Sequence, residues 1–211
     1  MIDLGWAMDS IDFTVGEVSD VVTWNQAGFL KPQRKLSQYL FLYVAPSMAA
    51  GLGLFTSKPF EAGATVLTVT DPDYLAQAMS HAEITAAGFS HADIFQVGSD
   101  LFIPPYGGPD DFTNHSCEPN CGLKVRPDGF SMVALYDIEA NEELTYDYST
   151  HQEHPLEDMD CACGSRGCRR VVRSFSTLPK HLRRRYLSLG IVADFAAEMA
   201  LIAAEGSDCR F

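Results

Sequence analysis

Short apolar stretches of period-two character, separated by turn residues, recur along the first three quarters of the chain. Residues 39–44, Tyr-Leu-Phe-Leu-Tyr-Val, read as a strand, and Gly51-Leu52-Gly53-Leu54-Phe55 as a turn into a second one. Residues 65–70 alternate β-branched positions, and Asp71-Pro72 closes them. Residues 74–88 have helical composition, with Leu75, Ala78, Met79 and Ala82 on one side. Residues 94–103 read as two short strands around a Gly98-Ser99-Asp100 turn. Two more strands are expected over 130–136 and 143–148, joined by a turn over 137–142 that holds Asn141. Strands at this spacing predict a mainly β body of the α+β kind, not a doubly wound sheet.

The pattern changes near the C-terminus. Ser176-Thr177-Leu178-Pro179 offers an N-cap followed by an early-helix proline. Leu178, Leu182, Tyr186 and Leu189 then recur at helical spacing until Gly190 stops the run. Val192, Phe195, Met199 and Ile202 mark a second amphipathic helix ending near Gly206. Both helices are expected to pack on the β body, with partner binding as the alternative. No internal repeat or low-complexity linker interrupts the chain.

A length of 211 residues suits one domain, or one domain with a helical extension. No stretch approaches the roughly 18 uninterrupted apolar residues of a membrane span, since Asp194 and Glu198 break the C-terminal run. Asp3, Asp9 and Asp12 near the start, with no base among them, are the opposite of a secretory signal. The expectation is an intracellular, cytoplasmic protein away from membranes, or a nuclear one if the source is eukaryotic. The net charge of -13 is uneven: residues 61–160 carry nineteen acids against only Lys124 and Arg126. Such a segment disfavours direct nucleic-acid binding and suits a cationic partner. A solvated acidic surface that keeps the chain soluble is the plainer alternative.

All six cysteines lie in the second half: Cys117, Cys121, Cys161, Cys163, Cys168 and Cys209. Cys161-Ala162-Cys163-Gly164-Ser165-Arg166-Gly167-Cys168 packs three thiols into eight residues, with two glycines allowing a tight turn. Thiolates about 2.3 Å from one zinc need such bends. A tetrahedral site needs a fourth ligand, for which Cys117, Cys121, Cys209 and the six histidines are available. Reduced or redox-active thiols are the alternative to a metal.

Three motifs follow one another: Asn114-His115-Ser116-Cys117-Glu118-Pro119-Asn120-Cys121, then Glu143-Leu144-Thr145-Tyr146-Asp147-Tyr148, then the cysteine cluster. In that order, with Gly51-Leu52-Gly53 upstream, they resemble the SET-domain protein-lysine N-methyltransferases with a post-SET zinc segment. The resemblance covers roughly residues 42–170. It implies small curved β sheets with a pseudoknot, and the following division: an N-terminal flanking segment over 1–38, the catalytic domain over 39–150, the post-SET zinc loop over 151–172 and a helical extension over 173–211.

It also implies chemistry: methyl transfer from S-adenosylmethionine to the ε-amine of a lysine in a basic protein or peptide. Tyr148 becomes the catalytic tyrosine, and Tyr146 sets how many methyls are added, with a lean towards one or two. Gly51, Leu52, Gly53, Asn114, His115 and Tyr148 become the cofactor site, His115 largely through its backbone. Cys117 joins Cys161, Cys163 and Cys168 around one structural zinc, leaving Cys121 and Cys209 as buried thiols. Taken singly, the tyrosines could be core aromatics of one strand face, His115 a core histidine and the glycines a hairpin turn. The resemblance has one clear departure. The family often has Arg-Phe-x before Asn-His, whereas Asp111-Phe112-Thr113 stands here, without the arginine's local salt bridge. The rival readings are methylation of a small amine or free amino acid, and a catalytically silent SET-like module that docks a basic partner.

Overall fold

Strands β1 (Leu42–Pro46) and β2 (Leu52–Thr56) form an antiparallel pair, Val44 opposite Leu54. They open a computed structural model that describes residues 41–71, 73–90, 93–105, 108–153 and 158–207. The N-terminal flanking segment, Pro72 and Cys209 lie outside the described residues. The remaining strands are β3 (Thr65–Thr70), β4 (Phe95–Gly98), β5 (Leu101–Ile103), β6 (Asn114–His115), β7 (Cys121–Arg126), β8 (Gly129–Ala134), β9 (Glu143–Tyr146), β10 (Met159–Asp160) and β11 (Val171–Val172). The helices are α1 (His81–Ala86), α2 (Lys180–Leu189) and α3 (Asp194–Ser207).

These strands make four small sheets: β1-β2-β9-β6, β3-β8-β7, and the pairs β4-β5 and β10-β11. All pairings are antiparallel except β6 with β9, which is parallel and sets Asn114 beside Thr145 and His115 beside Tyr146. Two motifs thirty residues apart in sequence are thereby laid side by side. Leu54 and Leu144 face each other where β2 meets β9, both fully buried. They join Leu67, Tyr74, Leu123, Met132 and Ile138 in the main core. In β3 the register shifts between Thr65 and Leu67, and the adjacent Val66 and Leu67 are both buried, as a bulge allows.

Strand β8 divides two cores. Met132 faces the main one, while its neighbour Val133 packs with Phe175, Leu178, Tyr186, Ile191, Ala193, Ala196 and Ala200. The C-terminal helices therefore cover the back of β3-β8-β7. Gly122, opposite Val133, seats Ile191: a Cβ there would stand 2.6 Å from Ile191 Cγ2. Gly122→Ala should accordingly cost about 1–3 kcal/mol by overpacking, read as a lowered thermal midpoint.

The expected strands appear, with several differences. The strand Cys121–Arg126 was not read from the sequence, because Lys124 and Arg126 hide its apolar positions. The strand expected over 143–148 stops at Tyr146; the Asp147 carboxylate accepts Ser149 N–H and starts a 3₁₀ turn over Tyr148–His151. The helix expected over 74–88 splits into a 3₁₀ turn, Leu75–Gln77, and α1, because Ser80 and Glu83 form a capping box and Met79 bridges to Phe102. Finally, α2 begins at Lys180 after Pro179 and has no side-chain cap. Ser176 sits in a preceding 3₁₀ turn instead, bonded to the Glu153 carboxylate. Gly190 ends α2 at φ 63°, as its position foretells. On α3 the buried stripe is alanine, Ala196 and Ala200, while Ile202 is 68% exposed. Among the described residues no helix is long and apolar enough to cross a membrane.

Candidate active site

The loop before β2 is tied to β6 by one side chain. Asn114 Nδ2 lies 3.1 Å from Ala50 O, 3.0 Å from Leu52 O and 2.8 Å from Glu143 Oε1. Gly51, at the bend, has φ +48° and open space where a Cβ would stand, whereas a Cβ on Gly53 would meet Glu143 Oε1 at 2.3 Å. So Gly53 is required by a carboxylate of the chain itself, and Gly51 by backbone conformation. Asn120, which the sequence reading left without a role, repeats the device: its Oδ1 accepts Thr145 N–H at 2.9 Å and its Nδ2 donates to Glu143 O at 2.8 Å.

Tyr146 and Tyr148 sit with ring centroids 4.8 Å apart. Both line a cavity of about 60 Å³ that is walled also by Tyr74, Phe95, Leu123 and Phe130, with Asp93, Asp110 and Asp111 on its rim. That volume takes a few water-sized groups. The Tyr148 hydroxyl donates to Thr113 O at 2.9 Å, and Tyr148 N–H donates to His115 Nδ1 at 3.1 Å. Burial pushes both phenols well above their ordinary pKa; Asp93 and Glu143 add to the shift of Tyr148. Both hydroxyls keep their protons at physiological pH.

Of the acids expected to favour a basic partner, Asp110 and Asp111 reach the cavity. Three others are bonded to local structure: Asp137 accepts Ala62 N–H, Glu142 accepts from Asn120, and Glu143 accepts from Ser47 and Asn114. Asp93, of the same acidic stretch, also lines the cavity. Asp111, at the place of the family's arginine, accepts Gly108 N–H at 3.1 Å and so caps the turn Pro109–Phe112.

Between the tyrosines, buried Asp147 takes Arg169 Nη2 at 2.7 Å, Tyr186 OH at 3.0 Å and Ser149 N–H at 3.1 Å. None of these partners carried a signal in the sequence, because each contact spans a turn or a fold-level approach.

The thiols converge. One ligand atom each from His115, Cys117, Cys161 and Cys163 lies within 4.8 Å of the others. Cys117 Sγ is 3.8 Å and Cys168 Sγ 3.7 Å from Cys161 Sγ. Four thiolates on one tetrahedral zinc would stand about 3.8 Å apart, given bonds near 2.3 Å. The donor set thus fits zinc. His115 sits at the edge of this group: its Nδ1 accepts Tyr148 N–H, so the neutral ring carries its proton on Nε2, 3.3 Å from Cys117 Sγ. Burial pushes its pKa down to about 4, against the pull of Asp147. In this tautomer Nε2 donates rather than ligates, and Cys168, outside the group of four, approaches it through Cys161. Burial raises the Cys161 thiol to about 11; at Cys163 the Cys117 and Ser165 hydrogen bonds outweigh burial and lower it to about 6. Cys121, fully buried on β7, is not in this group.

His151 is buried behind Tyr146, ring centroids 5.9 Å apart, with Nδ1 at 3.0 Å from Thr150 Oγ1 and Nε2 without a partner among the described residues. Burial pushes its pKa down to about 3, with Asp147 opposing. The unfolded chain, where the value is 6.5, takes the proton first. The stability that neutral His151 permits is therefore whole above pH 6.5 and is lost as pH falls towards 3. His151→Phe should flatten the decline by up to roughly 1.4 kcal/mol per pH unit in that window, measured by urea melts.

Comparison with known proteins falls on the same residues. The family model described as SET domain matches residues 51–149. The "Histone-lysine N-methyltransferase, H3 lysine-4 specific" of Emericella nidulans is 31% identical over 163 residues, covering 73% of this chain and 13% of its own length. The "Histone-lysine N-methyltransferase SETD1" of Drosophila melanogaster is 31% identical over 171 residues, covering 74% and 9%. The chain thus spans less than a sixth of either relative. Among solved structures, KRYPTONITE in complex with mCHH DNA, H3(1-15) peptide and SAH is 23% identical, covering 62% of this chain and 29% of that one, with TM-score 0.47. The matched residues begin at the Gly51 bend and run through both side-by-side motifs to Ser149, and this stretch of the chain is a SET domain.

Proposed function

We propose that the chain transfers methyl groups from S-adenosylmethionine to the ε-amine of a lysine in a basic protein or peptide. The observation that carries this reading is the cavity lined by Tyr146 and Tyr148, beside the strand pair β6-β9. When bound, S-adenosylmethionine would supply the methyl group of its sulfonium, the electron pair of the broken S–C bond leaving with a neutral thioether. The open space at Gly51, held by Asn114, is where the chain can admit its amino-acid end. The His115 side chain is turned to the thiols, which leaves its backbone for the adenine. Cys117, Cys161, Cys163 and Cys168 would hold one zinc, which supplies a fixed cross-link between β6 and the segment after β10.

A lysine ammonium, pKa about 10.4, arrives charged and must lose a proton before it can attack. Asp93, Asp110 and Asp111 favour its arrival at the rim. The apolar walls deeper in, Phe95, Leu123 and Phe130, strip its water and favour the neutral amine. The Tyr148 proton is committed to Thr113 O, so its oxygen presents lone pairs to an amine N–H and aims the nitrogen. Tyr146 offers a second hydroxyl, and two acceptors leave less room for added methyls, which favours one or two.

Both relatives' names mention histone lysine and that of the Emericella nidulans relative H3 lysine 4, so a basic histone-like tail is the first substrate to try; an intracellular placement, cytoplasmic or nuclear, goes with it. Purified protein with tritiated methyl donor should label lysine in core histones or in a lysine peptide array. Labelled small amines without labelled peptides would favour the metabolite reading, and no cofactor binding by calorimetry would favour the silent module.

A further inference from the structure

Tyr148 is held on three sides. Thr113 O takes its hydroxyl, His115 Nδ1 takes its N–H, and the residue before it, Asp147, is fixed by a carboxylate 2% exposed. Asp147 opens the 3₁₀ turn on which Tyr148 is the first residue. Its two oxygens are anchored from different directions. Oδ1 takes Ser149 N–H and Arg169 Nη2, and Oδ2 takes the hydroxyl of Tyr186. Arg169 belongs to the cysteine segment, where its own N–H donates to Cys117 Sγ at 3.3 Å. Tyr186 belongs to α2, outside the residues matched to the family.

Tyr186 is 1% exposed, and burial together with the neighbouring Asp147 keeps its hydroxyl protonated, hence a donor. A tyrosine that only filled space in the second core would not need that hydroxyl; phenylalanine would pack the same ring without desolvating an O–H. A second tie runs beside it, Ala193 N–H to Thr150 O at 3.0 Å, so α2 and the loop after it grip the turn Tyr148–His151 at two points.

We propose that Tyr186 is a positioning residue of the active site: through Asp147 Oδ2 it fixes the turn that aims Tyr148, and so makes α2 part of the catalytic apparatus rather than a covering for the sheet. The proposal rests on the methyl-transfer reading for its kinetic consequence, but not for its structural one. Arg169 and Ser149 N–H anchor the same carboxylate through Oδ1, so losing the Tyr186 hydroxyl leaves Oδ2 without its anchor and Asp147 free to turn about Oδ1. The small tilt that follows moves the Tyr148 oxygen relative to Thr113 O. Misplacements of that order cost rate rather than binding.

The test is a double-mutant cycle on the full chain with Tyr186→Phe and Asp147→Asn, read three ways. On the best-labelled lysine peptide, Tyr186→Phe should lower kcat about ten-fold or more while KM for peptide and cofactor changes less than about three-fold. The effects of the two substitutions on kcat should not multiply, because both act through one carboxylate. Independently of activity, protein labelled with 3-fluorotyrosine should show a shifted or broadened ¹⁹F resonance for Tyr148, assigned by its loss in Tyr148→Phe, in either variant. Multiplying effects, an unchanged kcat, or an unmoved Tyr148 resonance in Tyr186→Phe would overturn the proposal. If the wild type labels no lysine, the functional reading fails, and the ¹⁹F signal alone decides whether Tyr186 positions Tyr148. Should Tyr186→Phe prove poorly folded, Asp147→Asn carries the ¹⁹F reading, and an unmoved resonance there overturns the proposal equally.

Discussion

Tyr148→Phe lowers methyl transfer by about a hundred-fold or more while leaving S-adenosylmethionine affinity nearly intact; this is the first expected result. The ring keeps its neighbours, Tyr146 at 4.8 Å and His115 at 5.4 Å between centroids, so the substitution removes one oxygen and little packing. The hydrogen bond lost is the one to Thr113 O, worth about 1 kcal/mol net, and a modest fall in thermal stability accompanies the change. The amine loses the acceptor that aims it, whereas the backbone groups around Gly51 and Asn114 are untouched. Initial rates against calorimetric affinity separate these effects. Full activity in the variant would remove Tyr148 from the catalytic role.

Chelation of the thiol-bound ion should have an even broader effect. Metal analysis of protein purified without chelator should return one zinc per chain. Cys161 is the position to change, since its Sγ is 3.8 Å from Cys117 and 3.7 Å from Cys168, and its N–H is bonded to Arg170 O. Cys161→Ser should lose the metal and loosen the segment 158–172, because among the described residues little besides the two-residue pair β10-β11, a small cluster around Val172 and the bonds of Arg169 holds it. The damage then reaches the catalytic turn: Arg169, whose N–H sits on Cys117 Sγ, also bonds Asp147. Activity should fall below detection in Cys161→Ser, and in chelated wild type should return with zinc but not with magnesium, which prefers oxygen ligands. Stability should drop by several kcal/mol, as binding energy of a structural zinc is folding energy. A fully active, metal-free protein would contradict the assignment.

Both results concern residues that were visible before any coordinates. The order of the Asn-His-Ser-Cys string, the Tyr-Asp-Tyr run and the cysteine cluster was legible because the chemistry demands those residue types, whatever the path of the chain between them. The sheets were legible where apolar alternation was clean, as in β2 and β3, and hidden where Lys124 and Arg126 occupy the exposed face of β7. What could not be read is which distant groups hold the site. The pairing of Asp147 with Arg169 and Tyr186 spans 22 and 39 residues and depends on how two segments dock. The alanine stripe of α3 escaped for another reason: larger apolar residues dominate a periodicity reading, but the close approach to Phe175 and Val133 suits small ones. Acidic residues misled by number. Most of those near the motifs bond backbone or asparagine groups, and only a few reach the cavity rim.

The measurement closest to the central claim uses a donor with a deuterated methyl group, the purified chain and a basic lysine-bearing substrate, followed by fragmentation mass spectrometry. The expected spectrum places one or two labelled methyls on a lysine side-chain nitrogen, with the signal lost in Tyr148→Phe. Label on an arginine, on a chain terminus or on no residue at all, with zinc and cofactor both bound, would contradict it.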